Sequence, residues 1–319
     1  MNILFSQPYA PNFEIPSGKQ GGHRFRVSRR ASDWGLRGAR KRLFHAANAL
    51  RVARQARRFD ALVLCTVGIE AFFVSRFKKV LCPRTRLVFA DFLVPRPGKS
   101  SEQMRSWLSN VDRMVCIRTG DFQTLEQRFG VPSSKCRFAF FPANADLPRA
   151  PADGDYLYAA GNAHRDWPLL LEALGDTPWR AILSPGEPID VPANLCGRVE
   201  VRSGLGNKEG RELLQRARAV VMPLEDTPLP SGPLVLLDAM VMGQAIVTTS
   251  VNGTRDYIRD GRTALSVPAG DANAMTLALN RLHDDQTLRQ NLGQAAREEV
   301  CARFSTEQFV AALVEACER

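Results

Sequence analysis

The stretch Pro230 to Gly261 reads P-S-G-P-L-V-L-L-D-A-M-V-M-G-Q-A-I-V-T-T-S-V-N-G-T-R-D-Y-I-R-D-G. Pro230-Ser231-Gly232-Pro233 is a turn, and Leu234 opens a helix that is apolar on nearly every side. Such a helix must be buried. Its single charge is Asp238. Gly243 ends it, and Ala245 to Thr249 read as a buried strand. A second turn, Asn252-Gly253, leads towards another helix start. Where a loop meets a helix N-terminus, free N–H groups point outward and can hold an anion. A carboxylate two turns further on can accept hydrogen bonds from a sugar hydroxyl. The segment therefore suits a ligand that carries both kinds of group.

Working outward, short apolar runs alternate with helical segments along the whole chain. Ile3–Phe5, Ala61–Cys65, Leu87–Ala90, Met114–Ile117 and Phe138–Phe140 form one strand series. Tyr156–Ala159, Ala181–Leu183, Val199–Val201, Ala219–Met222, Ala245–Thr248 and Ala264–Val267 form another. Strands alternating with helices argue for parallel sheets built of βαβ units. Between the series lies a stretch rich in Pro, Ala and Asp, from Pro142 to Gly154, which reads as a linker. The expectation is an α/β protein of two Rossmann-like, doubly wound domains facing a cleft, residues 1–146 and 147–319. The last helix is a candidate to pack back on the first domain. Ligands in such sheets sit beyond the carboxyl ends of the strands.

Two motifs carry a family resemblance. Leu236-Leu-Asp-Ala-Met240 with Gly243 and the strand after it resembles the donor-site signature of the retaining GT-B glycosyltransferases of group 1, family 4. Asp238 takes the second of that signature's two acidic positions, while the first falls on Pro230. Tyr156-Leu-Tyr-Ala-Ala-Gly-Asn-Ala-His-Arg-Asp-Trp is similar to the family's strand, glycine turn and basic residue. Arg165 matches the residue that meets the donor diphosphate, and Asn162 stands where many members carry Arg. The resemblance implies that Gly22, Gly161, His164, Arg165, Ser231, Gly232, Leu234 and Asp238 bind a nucleotide-diphosphate sugar. It implies transfer with retention of configuration, no catalytic metal and no cofactor beyond the donor. Asp91, at the end of the strand Leu87–Ala90, is the candidate catalytic residue, placed to bind the acceptor or to take its proton.

Each candidate also has a plainer reading. Asp238 could bond to backbone or to an arginine of its own domain, because a lone buried carboxylate is costly. Arg165 could be a surface residue of a turn, and Asp166 a helix cap. Asp91 could be a loop carboxylate with a local bond, and Gly21-Gly22 a flexible loop. Pro97-Gly98-Lys99-Ser100 ends like a phosphate loop, but Leu93 stands where the first glycine is required. The four histidines, His23, His45, His164 and His283, lack metal-ligand spacing.

Bulk properties narrow the partners. The chain has 319 residues and a net charge of +10. Its first 60 residues hold thirteen Lys/Arg against three Asp/Glu, which is the whole excess of 43 over 33. Within residues 19–58, Trp34, Leu36, Leu43, Phe44 and Leu50 interleave with the arginines. That pattern suits an anionic membrane surface, against a merely solvated helix face as the alternative. No nucleic-acid-binding motif is present. Seven scattered cysteines without a C-x-x-C pair read as reduced core thiols of a cytoplasmic protein. No apolar run reaches membrane-span length. The function expected is sugar transfer to a lipid-linked or cell-envelope glycan, in the cytoplasm or peripherally on the inner face of the cytoplasmic membrane. The alternatives are a degenerate GT-B binding partner in a glycan-assembly complex and a GT-B sugar-nucleotide epimerase.

Overall fold

A computed structural model describes residues 1–7, 15, 17–29, 35–65, 69–90, 101–151, 154–229, 231 and 233–318. The chain divides into two compact units, Met1–Phe140 with Thr306–Arg319, and Phe141–Ser305. The first boundary thus falls six residues before the one read from the sequence. The last helix forms part of unit 1.

Unit 1 holds β1 (Asn2–Gln7), β2 (Gly18–Gln20), β3 (His23–Arg29), α1 (Gly38–Ala56), β4 (Ala61–Cys65) and α2 (Ile69–Leu81). It continues with β5 (Arg86–Ala90), α3 (Ser101–Leu108), β6 (Arg113–Cys116), α4 (Gly120–Phe129), β7 (Cys136–Phe138) and finally α10 (Thr306–Glu318). Its sheet has the order β2-β3-β1-β4-β5-β6-β7. Every pair is parallel except the β2–β3 hairpin. Ile3, Leu4 and Phe5 are all fully buried, as expected of a parallel strand covered on both faces. Leu4, Leu62, Leu64, Leu87 and Phe89 pack with residues of α1 to α4 in one core cluster. On α10, Phe309, Leu313 and Cys317 are buried, and the Cys317 carbonyl accepts a 2.8 Å bond from Arg86 Nη1. An ion pair joins Arg137 to Glu315.

Unit 2 holds β8 (Leu157–Gly161), α5 (Trp167–Gly175), β9 (Ala181–Pro185), β10 (Val199–Val201), α6 (Asn207–Arg216) and β11 (Ala219–Met222). After these come α7 (Leu234–Met242), β12 (Ile246–Thr249), β13 (Leu265–Val267), α8 (Ala272–Asp284) and α9 (Gln286–Arg303). Its all-parallel sheet runs β10-β9-β8-β11-β12-β13. The strand order reverses at β8, the first strand, and this is the topological switch point. The core on one face joins the strands to α5 and α8. Trp179 lies fully buried there, its indole N–H donating to the Leu279 carbonyl at 2.9 Å. α7 is buried as its composition requires. It ends at Gly243, whose left-handed backbone (φ 72°) suits glycine. α7 and α9 approach so closely that a Cβ on Gly293 would overlap the Gly243 carbonyl.

One local expectation is corrected. The turn at Asn252-Gly253 does not open a helix. It continues as consecutive turns, with Thr254 Oγ1 donating 2.7 Å to the Thr249 carbonyl. The basic stretch, residues 19–58, is carried by more than one element. Arg24, Arg26 and Arg29 lie on β3, and Arg40 to Arg54 on α1.

Candidate functional site

The strand β8 ends in Gly161, whose φ of 124° excludes most side chains. Three residues later His164 is left-handed at φ 51°, the only described non-glycine residue with positive φ. Such strain persists only where surrounding contacts hold it. Here the loop after β8 is tied to the segment after β11. Glu225 N–H donates to the His164 carbonyl (3.1 Å), Asp166 N–H donates to the Pro223 carbonyl (2.9 Å), and Arg165 forms a β-bridge with Leu224. β12 joins the same region, because Thr249 Oγ1 accepts from Leu224 N–H and donates to the Leu224 carbonyl, both at 2.9 Å. Three strand ends are thereby fastened at the switch point.

Arg165 occupies the centre of this arrangement and is only 9% exposed. Its Nε donates to the Ala160 carbonyl and its Nη1 to the Ala163 carbonyl, each at 2.9 Å. The guanidinium lies against Gly161, where a Cβ would overlap it. No carboxylate of the described residues pairs with it, and burial pushes its pKa down to about 10. A buried cation without a counter-charge is costly. An anion at the strand ends would supply that counter-charge. His164 Nδ1 is 3.7 Å from Glu225 Oε2, and Asp166 caps α5 through Leu169 N–H at 3.0 Å.

Asp238 sits on the second turn of α7, largely buried. Its Oδ2 accepts a 2.7 Å bond from Arg211 Nε of α6. The plainer reading, an arginine of the same domain, therefore describes that oxygen. Burial raises the Asp238 pKa, and Arg211 opposes the rise. Oδ1 has no partner among the described residues and remains available to a hydroxyl donor. Ser231 is buried ahead of α7 and packs on Gly253, where a Cβ would overlap its Oγ. Leu234, the first residue of α7, is 41% exposed.

The remaining sequence candidates fall elsewhere. Gly22 (φ 79°) is in the β2–β3 hairpin turn, and Arg24 beside it pairs with Asn2 at the amino end of β1. It is therefore remote from the carboxyl strand ends, contrary to expectation. The pattern G-G followed by alternating residues encodes a two-residue hairpin turn with both glycines at positive φ. Asp91, Gly232 and Pro230 lie outside the described residues. Sequence reasoning missed Arg211, Glu225 and Thr249. Arg211 lies in an unremarkable amphipathic helix, whereas the paired Thr248-Thr249 at a strand end was a usable signal. Among the described residues no group of three His, Cys, Asp or Glu could hold a metal ion, and no helix is long and apolar enough to cross a membrane.

Residues 165–285 match the family model described as glycosyl transferases group 1. The chain is 26% identical over 173 residues to the lipopolysaccharide core biosynthesis glycosyltransferase LpsE of Rhizobium meliloti, covering 52% of this chain and 50% of that protein. It is 29% identical over 131 residues to the alpha-D-kanosaminyltransferase of Streptomyces kanamyceticus, covering 41% of this chain and 32% of that one. These matches thus span half the length of the relatives or less. Among solved structures, a glycosyltransferase from Rickettsia africae superposes with a TM-score of 0.71 at 11% identity, covering 99% of this chain and 97% of its own. HepE from Anabaena in complex with UDP gives 0.71 at 14% identity, covering 99% and 100%. At such identities the likeness concerns the fold, which is GT-B.

Proposed function

We propose that this chain, which belongs to the group 1 glycosyltransferases and has the GT-B fold, moves a sugar from a nucleotide-diphosphate donor to an acceptor. The reading rests above all on Arg165, a buried guanidinium with no carboxylate partner among the described residues, at the switch point of unit 2. A diphosphate there would supply the missing charge. In the transition state the sugar–phosphate bond breaks and negative charge grows on the leaving diphosphate. A preorganised guanidinium stabilises that charge without reorganising. Asp238 Oδ1 would accept a bond from a ribose hydroxyl, with Arg211 holding the carboxylate in place. Leu234 and the N–H groups that open α7 would border the diphosphate, and His164 would contribute a further hydrogen bond.

The solved HepE complex contains UDP, which makes a uridine donor the first to test. Several relatives are named for lipopolysaccharide, exopolysaccharide or capsular polysaccharide synthesis. That supports a lipid-linked or cell-envelope glycan as acceptor, met by a protein attached peripherally to the inner face of the cytoplasmic membrane. Retention of configuration and independence of metal and cofactor belong to the same reading. Thermal melts with UDP, GDP, ADP and their sugar conjugates test it, because a bound ligand stabilises by mass action. A shift from at least one nucleoside diphosphate, unchanged by EDTA, is expected. No shift from any of them, or a shift that EDTA abolishes and Mg²⁺ restores, would overturn the reading.

A further inference from the structure

We propose that Cys116 and Cys136 form a redox-active dithiol in unit 1, which low-molecular-weight disulfides oxidise to an internal disulfide bond. The inference goes beyond the transferase reading and stands independently of it. The cysteines are scattered along the sequence, and the fold brings these two together. Cys116 is the last residue of β6 and Cys136 the first of β7. In their parallel register Met114 pairs with Cys136, and Cys116 with Phe138. Register partners point to the same face, and so do residues two apart on one strand. Both cysteines therefore face one side of the sheet. Cys116 belongs to the core cluster there, and Cys136 packs against that cluster. They are diagonal neighbours, close enough for the two thiols to share a hydrogen bond.

The two thiols differ in the way an exchange reaction requires. Cys116 is fully buried, while Cys136 is partly exposed. The hydrogen bond from Cys116 favours the Cys136 thiolate and lowers its pKa, outweighing burial and the carboxylates of Glu126 and Asp121. The same bond, together with burial, holds the Cys116 pKa well up. Cys136 is thus the nucleophile that meets solvent, and Cys116 the resolving thiol behind it. The Cys136 thiolate attacks one sulfur of a disulfide RSSR. Cys136–S–SR forms, and the released RS⁻ takes up the proton that Cys136 gave to solvent. The Cys116 sulfur then attacks Cys136 Sγ, and the second RS⁻ leaves with the Cys116 proton. Both cysteines are oxidised, and RSSR is reduced to two thiols.

The fold accommodates the product. β7 ends the sheet and has β6 as its one partner strand among the described residues, so it is free to shift the short distance that closing an S–S bond demands. The bond would enclose α4 in a loop, which restricts the unfolded chain. It would also fix the strand to which α10 is anchored, through the ion pair of Arg137 with Glu315. Oxidation thereby stiffens this edge of unit 1.

The test incubates the reduced protein with oxidised glutathione at neutral pH, followed by acid quench, unfolding, alkylation and mass spectrometry. In the wild type the peptides of Cys116 and Cys136 should be joined, and the melting temperature should rise above that of the reduced protein. Cys116→Ala should stop at a stable glutathione adduct on Cys136, with no such rise. Cys136→Ser, a change at a partly exposed position, should leave Cys116 as a free thiol. Phenylarsine oxide, which bridges neighbouring thiols, should block both cysteines in the wild type and neither in the single variants. The proposal is overturned if Cys136 of the wild type accumulates as the glutathione adduct. It is equally overturned if exposed Cys196 and Cys301 react while Cys116 and Cys136 stay free, or if Cys116 of Cys136→Ser is modified as fast as in the wild type.

Discussion

Replacing Arg165 with Met tests whether the buried charge serves the fold or a ligand. The side chain keeps an apolar stem over Gly161 and loses its guanidinium. Burial pushes the arginine's pKa well down, to about 10, so holding the charge in the folded state costs about 3 kcal/mol at 1.36 kcal/mol per pH unit. Against this stand two charge-assisted bonds to the Ala160 and Ala163 carbonyls, worth roughly 1.5–3 kcal/mol each. Ala163 is exposed, so water replaces part of that loss. The terms nearly cancel, and the ligand-free variant should melt within about 1 kcal/mol of the wild type. UDP binding should fall by roughly 1.5–3 kcal/mol, that is about 10- to 150-fold in Kd. Denaturant melts and calorimetric titration with UDP measure the two quantities. The comparison belongs at neutral pH, where both folded and unfolded arginine are charged. With the folded pKa depressed, the wild type gains relative stability only as pH rises above about 10 towards the ordinary arginine range. A variant destabilised by more than about 3 kcal/mol with unchanged UDP affinity would refute the reasoning and make Arg165 a structural clamp.

Three further outcomes are expected. Burial raises the Asp238 pKa above its usual 3.8, so the ionised carboxylate costs stability that protonation restores; the wild type should gain on Asp238→Asn as pH falls from 7 towards 4. A stability difference that stays constant in urea melts across that range would count against it. Gly293→Ala should destabilise by about 1–3 kcal/mol, since overlap with the Gly243 carbonyl outweighs the helix-propensity gain. Gly210→Ala on α6, whose Cβ would meet only Tyr158 Oη at 3.5 Å, should stabilise by about 0.4–1 kcal/mol; the same sign for both would show that the close approach is not the cause. Cys317 is fully buried with its pKa pushed up to about 12, so iodoacetamide on the native protein should modify exposed Cys196 and Cys301 first. Mass spectrometry showing Cys317 modified at a comparable rate would contradict that burial.

The strand series, the alternation with helices and the burial of α7 were all legible in the sequence. Each depends on local composition, since a continuous apolar run has no stable position except inside a sheet or beneath one. Gly161 with Arg165 and the L-L-D-A-M helix were legible too, because a glycine turn and a lone charge stand out against apolar neighbours. What those side chains touch was not. The inward turn of Arg165 onto Ala160 and Ala163 depends on how the loop after β8 is tied to the segment after β11, about 60 residues away in the chain. The Arg211–Asp238 pair depends on two helices meeting across one face of the sheet. Gly22 shows the limit most plainly. Two glycines permit either a phosphate loop or a hairpin, and strand pairing placed them at the amino end of β1. Local propensity determines which elements form. Which groups meet depends on long-range packing, because the partners that satisfy a buried charge are brought together only when distant strands align.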